Sequence, residues 1–338
     1  MSDPRPEENS RPVSCWFLLL PFCSALLYVL CYVCMRQLAE TRVNPFVIVG
    51  IREGITAIGG AAVFVFLLAG KKAALPKMKY VLAFLCSSIA LQLVGNIVQQ
   101  KSLEVIGMGI STATCWTGQL LWTPVFGWFL LREKLTLRLT CSLIFAFAAL
   151  LFLTAGTQMQ SGAETVERME TGMCSLAVVY VFLTVLAGFL MATSNCVVRW
   201  MNQGGVSPFF AVMFLPGVGG VLLLGWELAA HGMASFYALS SADYFYTILA
   251  GLTNMTAFIA LTFSLRYLDA VRVCVIMISQ LALAPTAGCL LFGETMNGLI
   301  LTGIVLVVTG ILISTGDAKQ SGNTKQAEAA DQMETETL

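Results

Sequence analysis

The sequence predicts an all-α membrane protein, with ten transmembrane helices arranged as two inverted five-helix repeats. Three observations predict it. Of 338 residues, 57% are hydrophobic and only 11% charged, with a mean hydropathy of +0.81, whereas a soluble domain carries about a quarter charged residues. Apolar runs bounded by charge or turn residues recur along the whole chain; ten spans of ~20 residues would use ~200 of them, leaving only short loops and tails. The two halves also repeat one another in sequence.

Taken in order, the spans fall at 13–34, 45–69, 80–98, 105–131, 139–157, 173–198, 208–231, 244–265, 271–292 and 296–315. Hydrocarbon offers no hydrogen-bond partner to a backbone, so each span must be helical. Residues 1–12 mix Arg5 and Arg11 with Asp3, Glu7 and Glu8, unlike a signal peptide, and are read as a cytoplasmic tail. Residues 13–157 form the first five-helix unit, 158–172 an extracytoplasmic linker, 173–316 the second unit and 317–338 a polar, Glu-rich disordered tail. Lys and Arg assigned to alternate loops give fourteen on one side and four on the other, with Arg52 left inside a span. The positive-inside rule therefore puts both termini in the cytoplasm.

The repeat is visible in particular residues. Met35-Arg36 followed by Val43-Asn-Pro-Phe46 recurs as Val198-Arg199 followed by Val206-Ser-Pro-Phe209, at an offset of 163. Gln119-Leu120, Pro124 and Glu133 return as Gln280-Leu281, Pro285 and Glu294, at an offset of 161. Spans one to five thus correspond to six to ten. Five is odd, so the second unit enters the membrane from the opposite side, the architecture many secondary transporters use for alternating access.

These residues also carry a family likeness. Asn44-Pro-Phe46 leading to Arg52, Leu103-Glu-Val-Ile-Gly-Met-Gly-Ile-Ser-Thr112 leading to Gln119 and Pro124, Leu131-Arg-Glu-Lys-Leu135, and the later Leu291-Phe-Gly-Glu-Thr295 together resemble the EamA-type branch of the drug/metabolite transporter superfamily. The likeness runs from about residue 16 to 316. Within the branch the chain is loosely similar to plant nodulin-21-like and Usually-Multiple-Acids transporters, which implies amino acids or auxin-like acids as cargo. Span seven has Met213-Phe-Leu-Pro216 where span two has Gly50-Ile-Arg52, and span nine carries only Arg272 at its edge. The second feature disfavours phosphorylated cargo, as in the sister branches for nucleotide sugars and sugar phosphates.

Polar residues inside spans are the candidates for chemistry. Arg52 and Glu53 are adjacent charges about seven residues past Pro45, hence ~10 Å deep. An arginine at that depth must face protein or water; it offers a forked donor to a carboxylate, and Glu53 is the candidate for a coupling proton. Ser88, Gln92, Asn96 and Gln99 or Gln100 share one face of span three. Span four presents Thr112, Trp116, Gln119 and Thr123 likewise, and the repeat gives Gln119 a partner in Gln280. Substrate contact is accordingly expected from Arg52, Gln92, Asn96, Trp116, Gln119, Asn195, Asn254 and Gln280. Pro124 and Pro285 should kink spans four and nine, and these prolines with Gly54 are the expected hinge and gating positions. Gly50, Gly54, Gly217, Gly219 and Gly220 give spans two and seven small faces for close, sliding contact.

The expected function is secondary or facilitative transport of a small organic metabolite, with a nucleotide-sugar or sugar-phosphate exchanger and a non-transporting receptor or scaffold as the alternatives. The chain has no G-x-x-x-x-G-K-[ST] motif, which excludes an ATP-driven pump. Nor does it hold a catalytic set: His231 is its only histidine and Glu53 its only deep carboxylate. No metal or cofactor is expected; Cys31-Tyr-Val-Cys34 closes an apolar helix without a second pair. Zero net charge and the absence of a basic block argue against nucleic acid. The expected partners are the substrate and membrane lipids, for a monomer or homodimer. The plasma membrane is the default location, a vacuolar or other endomembrane the alternative.

Overall fold

A computed structural model describes residues 15–41, 43–105, 107–132, 136–169, 174–292 and 297–313. Among them every regular element is helical. In chain order these are α1 (Cys15–Glu40), α2 (Pro45–Ala69), α3 (Met78–Ile89), a π segment (Ala90–Asn96), α4 (Ile97–Val105), α5 (Gly107–Leu131), α6 (Leu137–Met169), α7 (Cys174–Gln203), α8 (Pro208–His231), the short α9 (Ala234–Tyr237), α10 (Ser241–Tyr267), α11 (Ala270–Met277), α12 (Ser279–Phe292) and α13 (Gly298–Ile313).

Local chemistry sets several of these boundaries. Asn44 accepts the Phe46 N–H at 3.0 Å and Pro45 opens α2, a combination suited to a helix start. Pro208 repeats that opening in α8. Ser240 and Asp243 form a reciprocal capping box on α10. At the far end of α2 the chain turns with Lys71 at φ 55°; the left-handed conformation costs a non-glycine residue about 1–2 kcal/mol.

Six helical stretches are long and apolar enough to cross a membrane among the described residues: Leu18–Leu38, Pro45–Ala69, Met78–Ser102, Val179–Gln203, Pro208–His231 and Ser241–Tyr267. Their outward faces carry Ile58, Phe66, Phe182 and Val221, each more than 70% exposed. A soluble monomer rarely exposes so much contiguous apolar surface; a bilayer would cover it. The protein is an integral, multi-pass membrane protein.

The elements that build the interior meet through glycine. On α2 and α8, Gly50 lies against Leu224, Gly220 against Gly54, and Gly60 against the Val212–Met213 backbone. Rising numbers on one helix meet falling numbers on the other, so the two run antiparallel. By the same logic Gly251 against Ile55 and Met255 against Gly59 make α10 and α2 parallel, and Ser88 on Leu215 with Gln92 at Gly219 make α3 and α8 parallel. The α5 and α7 helices cross at Gly118 and Gly188, where an added Cβ would strike backbone.

Some details depart from the sequence reading. The helix of α6 runs on to Met169, through most of the 158–172 stretch expected as a linker, since nothing in Gln158–Met169 stops a helix. The α5 helix continues through Pro124 without a break. The expected interruption of span nine at Pro285 is displaced: α11 ends at Met277 and α12 starts at Ser279. There the Leu281 N–H reaches back three residues to the Ile278 carbonyl at 2.8 Å, a tighter bond than the α ladder makes. Pro285 itself sits within α12, and its side chain lies outside the described residues, as do both tails.

Candidate functional site

Polar side chains that cannot face lipid turn inward and converge on one cavity. It encloses about 970 Å³ of empty space, its opening included, within the scale of small-molecule sites. The walls come from α1 (Tyr28, Cys31, Tyr32), α2 (Arg52, Glu53), the π segment and α4 (Leu91, Gln92, Asn96, Gln99), and α5 (Trp116, Gln119). From the second half come α7 (Met191, Ser194, Asn195, Val198), α8 (Leu215), α10 (Asn254, Phe258, Leu261, Leu265), α11 (Ala270, Val273, Cys274, Met277) and α12 (Gln280).

All eight residues expected to contact substrate line this cavity, and so does Glu53. Gly54 and Pro124 do not; the Gly54 backbone lies against Gly220 of α8, while an added Cβ on Gly54 itself would meet nothing within 4 Å. Of the small faces, Gly219 has a second use: an added Cβ would lie 2.6 Å from the Gln92 side chain, so this glycine makes room for the amide.

The charged pair is built locally. Arg52 donates from Nε and Nη2 to the same oxygen, Oε1, of its neighbour Glu53. Both residues are buried, at 9% and 4% exposure, so each charge is compensated by the other rather than by water. The second carboxylate oxygen accepts from Gln92 Nε2 at 3.3 Å, and Gln92 in turn accepts from Asn96. The π segment supplies both amides, and such segments recur at functional sites. On the other flank, Asn254 Nδ2 donates to Thr56 Oγ1 at 2.9 Å, and that hydroxyl donates to the Arg52 carbonyl.

The remaining polar groups are less engaged. Among the described residues the side-chain amides of Gln119 and Asn195 make no hydrogen bond, and Gln280 reaches only the Met277 sulfur at 3.9 Å. An amide has two donors and an acceptor to offer. The cavity therefore combines one satisfied ion pair, three available amides and an aromatic lining of Tyr28, Tyr32, Trp116 and Phe258. Gln99 donates to the Tyr32 hydroxyl at 3.2 Å.

The α1 contribution was not foreseen. Tyr28 and Tyr32 stand four residues apart on one helix face, which is the only signal the sequence holds, and a tyrosine in an apolar run reads equally well as an interfacial anchor. Trp122 and Trp128 lie away from the cavity, the first edge-on to Phe189 at 5.2 Å and the second exposed, as packing or interface residues should.

Comparison with known proteins agrees with the family likeness. Residues 178–316 match the model of the EamA-like transporter family, so the second half of the chain is similar to an EamA-like domain. A solved structure titled only "Crystal structure of protein" is similar to the chain at a TM-score of 0.68 and 15% identity, covering 90% of this chain and 98% of its own. At that identity the likeness concerns the fold alone. No curated protein matches the chain.

Proposed function

We infer that the protein is a secondary or facilitative carrier of a small carboxylate-bearing metabolite, an amino acid or a close relative, working by alternating access. The observation that carries this reading is the Arg52–Glu53 pair in the cavity wall, facing free amides. A substrate carboxylate can take the Arg52 guanidinium in a charge-assisted bond while its ammonium takes Glu53, so a zwitterion replaces one internal pair with two matched ones. A phosphorylated solute brings at least one more negative charge than this neutral pair can balance. Glu53 is the candidate proton carrier when the site is empty.

Alternating access rests on the repeat reading, with units at 13–157 and 173–316, and several features support it. The corresponding helices α2 and α8 run antiparallel, as inverted copies should. Exchange of the two halves also maps neighbour onto neighbour: α1 on α10 corresponds to α7 on the α3–α4 span, α2 on α10 to α8 on α3, and α5 on α7 to α1 on α11 and α12, all of which are packed pairs. The offset of 163 carries the apolar cluster Met35, Leu38, Val43, Phe46 and Ile48 onto Val198, Met201, Val206, Phe209 and Ala211, and the two sets belong to two separate packed clusters. Charge asymmetry supports cytoplasmic termini, with the plasma membrane as the proposed site.

Counterflow in proteoliposomes tests the function. Preloaded amino acid should drive saturable uptake of labelled amino acid, and sugar phosphates should not. Flux that favours sugar phosphates, or that never saturates, would remove this reading.

A further inference from the structure

We propose that the turn between α2 and α3 is a docking surface for anionic lipid headgroups in the leaflet it faces. This goes beyond the cargo reading and depends only on the chain's residence in a membrane. Lys71, Lys72, Lys77 and Lys79 place four cations within nine residues, and no Asp or Glu occurs from Gly54 to Leu103. All four are exposed. Among the described residues none pairs with a carboxylate, the ion pairs lying elsewhere.

The setting fits a headgroup more closely than it fits water. Lys79 Nζ lies 4.9 Å from the Tyr80 ring centroid and 5.7 Å from that of Trp200, and the two rings are 4.6 Å apart. Both rings pack into the core, and Lys71, Lys72 and Lys77 lie between the end of the apolar stretch Pro45–Ala69 and the start of Met78–Ser102, which puts the cluster at a membrane boundary. Leu75 and Met78, between the lysines in sequence, are 72% and 77% exposed, apolar side chains suited to the acyl boundary. The surface is also preformed. Lys72 N–H bonds back to the Leu67 carbonyl at 2.9 Å and Lys71 N–H to Leu68 at 3.0 Å, so no ordering of the backbone is required on binding. Basic clusters beside a membrane span attract anionic lipid, each lysine contributing about fivefold in affinity.

The test uses the full chain in neutral detergent, with lipid binding followed by native mass spectrometry. Phosphatidylserine should bind in a salt-dependent manner. The K71Q/K72Q/K77Q/K79Q variant should lose at least about tenfold in that affinity while binding phosphatidylcholine like the wild type, which shows that its fold is intact. Equal phosphatidylserine affinity in the variant, or equal affinity of the wild type for phosphatidylcholine, overturns the proposal. So does a wild type that binds phosphatidylserine only after removal of residues 317–338, since the acidic tail would then be the occupant.

Discussion

Arg52 and Glu53 pose a question that stability and transport answer separately. A buried ion pair deprived of one member leaves the other uncompensated, at a cost of about 3–5 kcal/mol, whereas neutral residues of similar volume at both positions are often tolerated. Arg52→Ala should therefore lower thermal stability in detergent, and the double variant Arg52→Met with Glu53→Gln should recover most of it. Transport of carboxylate-bearing solutes should stay absent in both. Full flux in the stable double variant would reduce the pair to a structural device. Polar residues at helical spacing inside apolar spans were legible in sequence because hydrocarbon forbids them any other direction. What could not be read was the partner of each: nothing in the order of residues says that Arg52 turns to its own neighbour, or that Gln92 reaches Glu53.

At the scale of helices, α2 and α8 are held by glycines that are not equivalent. An added methyl on Gly60 would lie 2.6 Å from the Met213 backbone nitrogen, whereas one on Gly54 would meet nothing within 4 Å. Gly60→Ala should separate the helices and destabilise the protein by about 1–3 kcal/mol; Gly54→Ala should leave the melting temperature unchanged. Reversed melting behaviour would mean that the contact lies elsewhere on the helices. Gly219→Ala should disturb Gln92, seen as weaker substrate affinity in a protein that still folds, and unaltered binding would detach that amide from the site. The small-residue faces announced this contact in the sequence, and the Asn-Pro and Ser-Pro starts announced two helix ends. The π segment and the break after Met277 were hidden, because Ala90–Asn96 and the Val275–Ile278 run contain no proline and only Gly95 by way of a break signal; packing around the cavity decides them.

For the whole molecule, the proposed alternating access parts α1 from α10, whose neighbouring ends are joined by a 3.1 Å hydrogen bond from Thr41, the residue after α1, to Asp243. Cysteines at both positions, bridged by a short thiol-reactive linker, should stop counterflow, and cleavage of a disulfide-containing linker should restore it. Persistent flux through the bridged protein would place the moving boundary elsewhere. The all-helical, membrane-spanning class was legible from hydropathy, since the bilayer imposes it on composition; how far α6 continues past the membrane-length run was not, because polar residues neither require nor forbid helix there. The chamber takes side chains from nine helices and a π segment spread over both halves of the chain, so neither half encloses it alone. Severed between them, the chain should yield two inert fragments that regain uptake only when inserted into the same bilayer together.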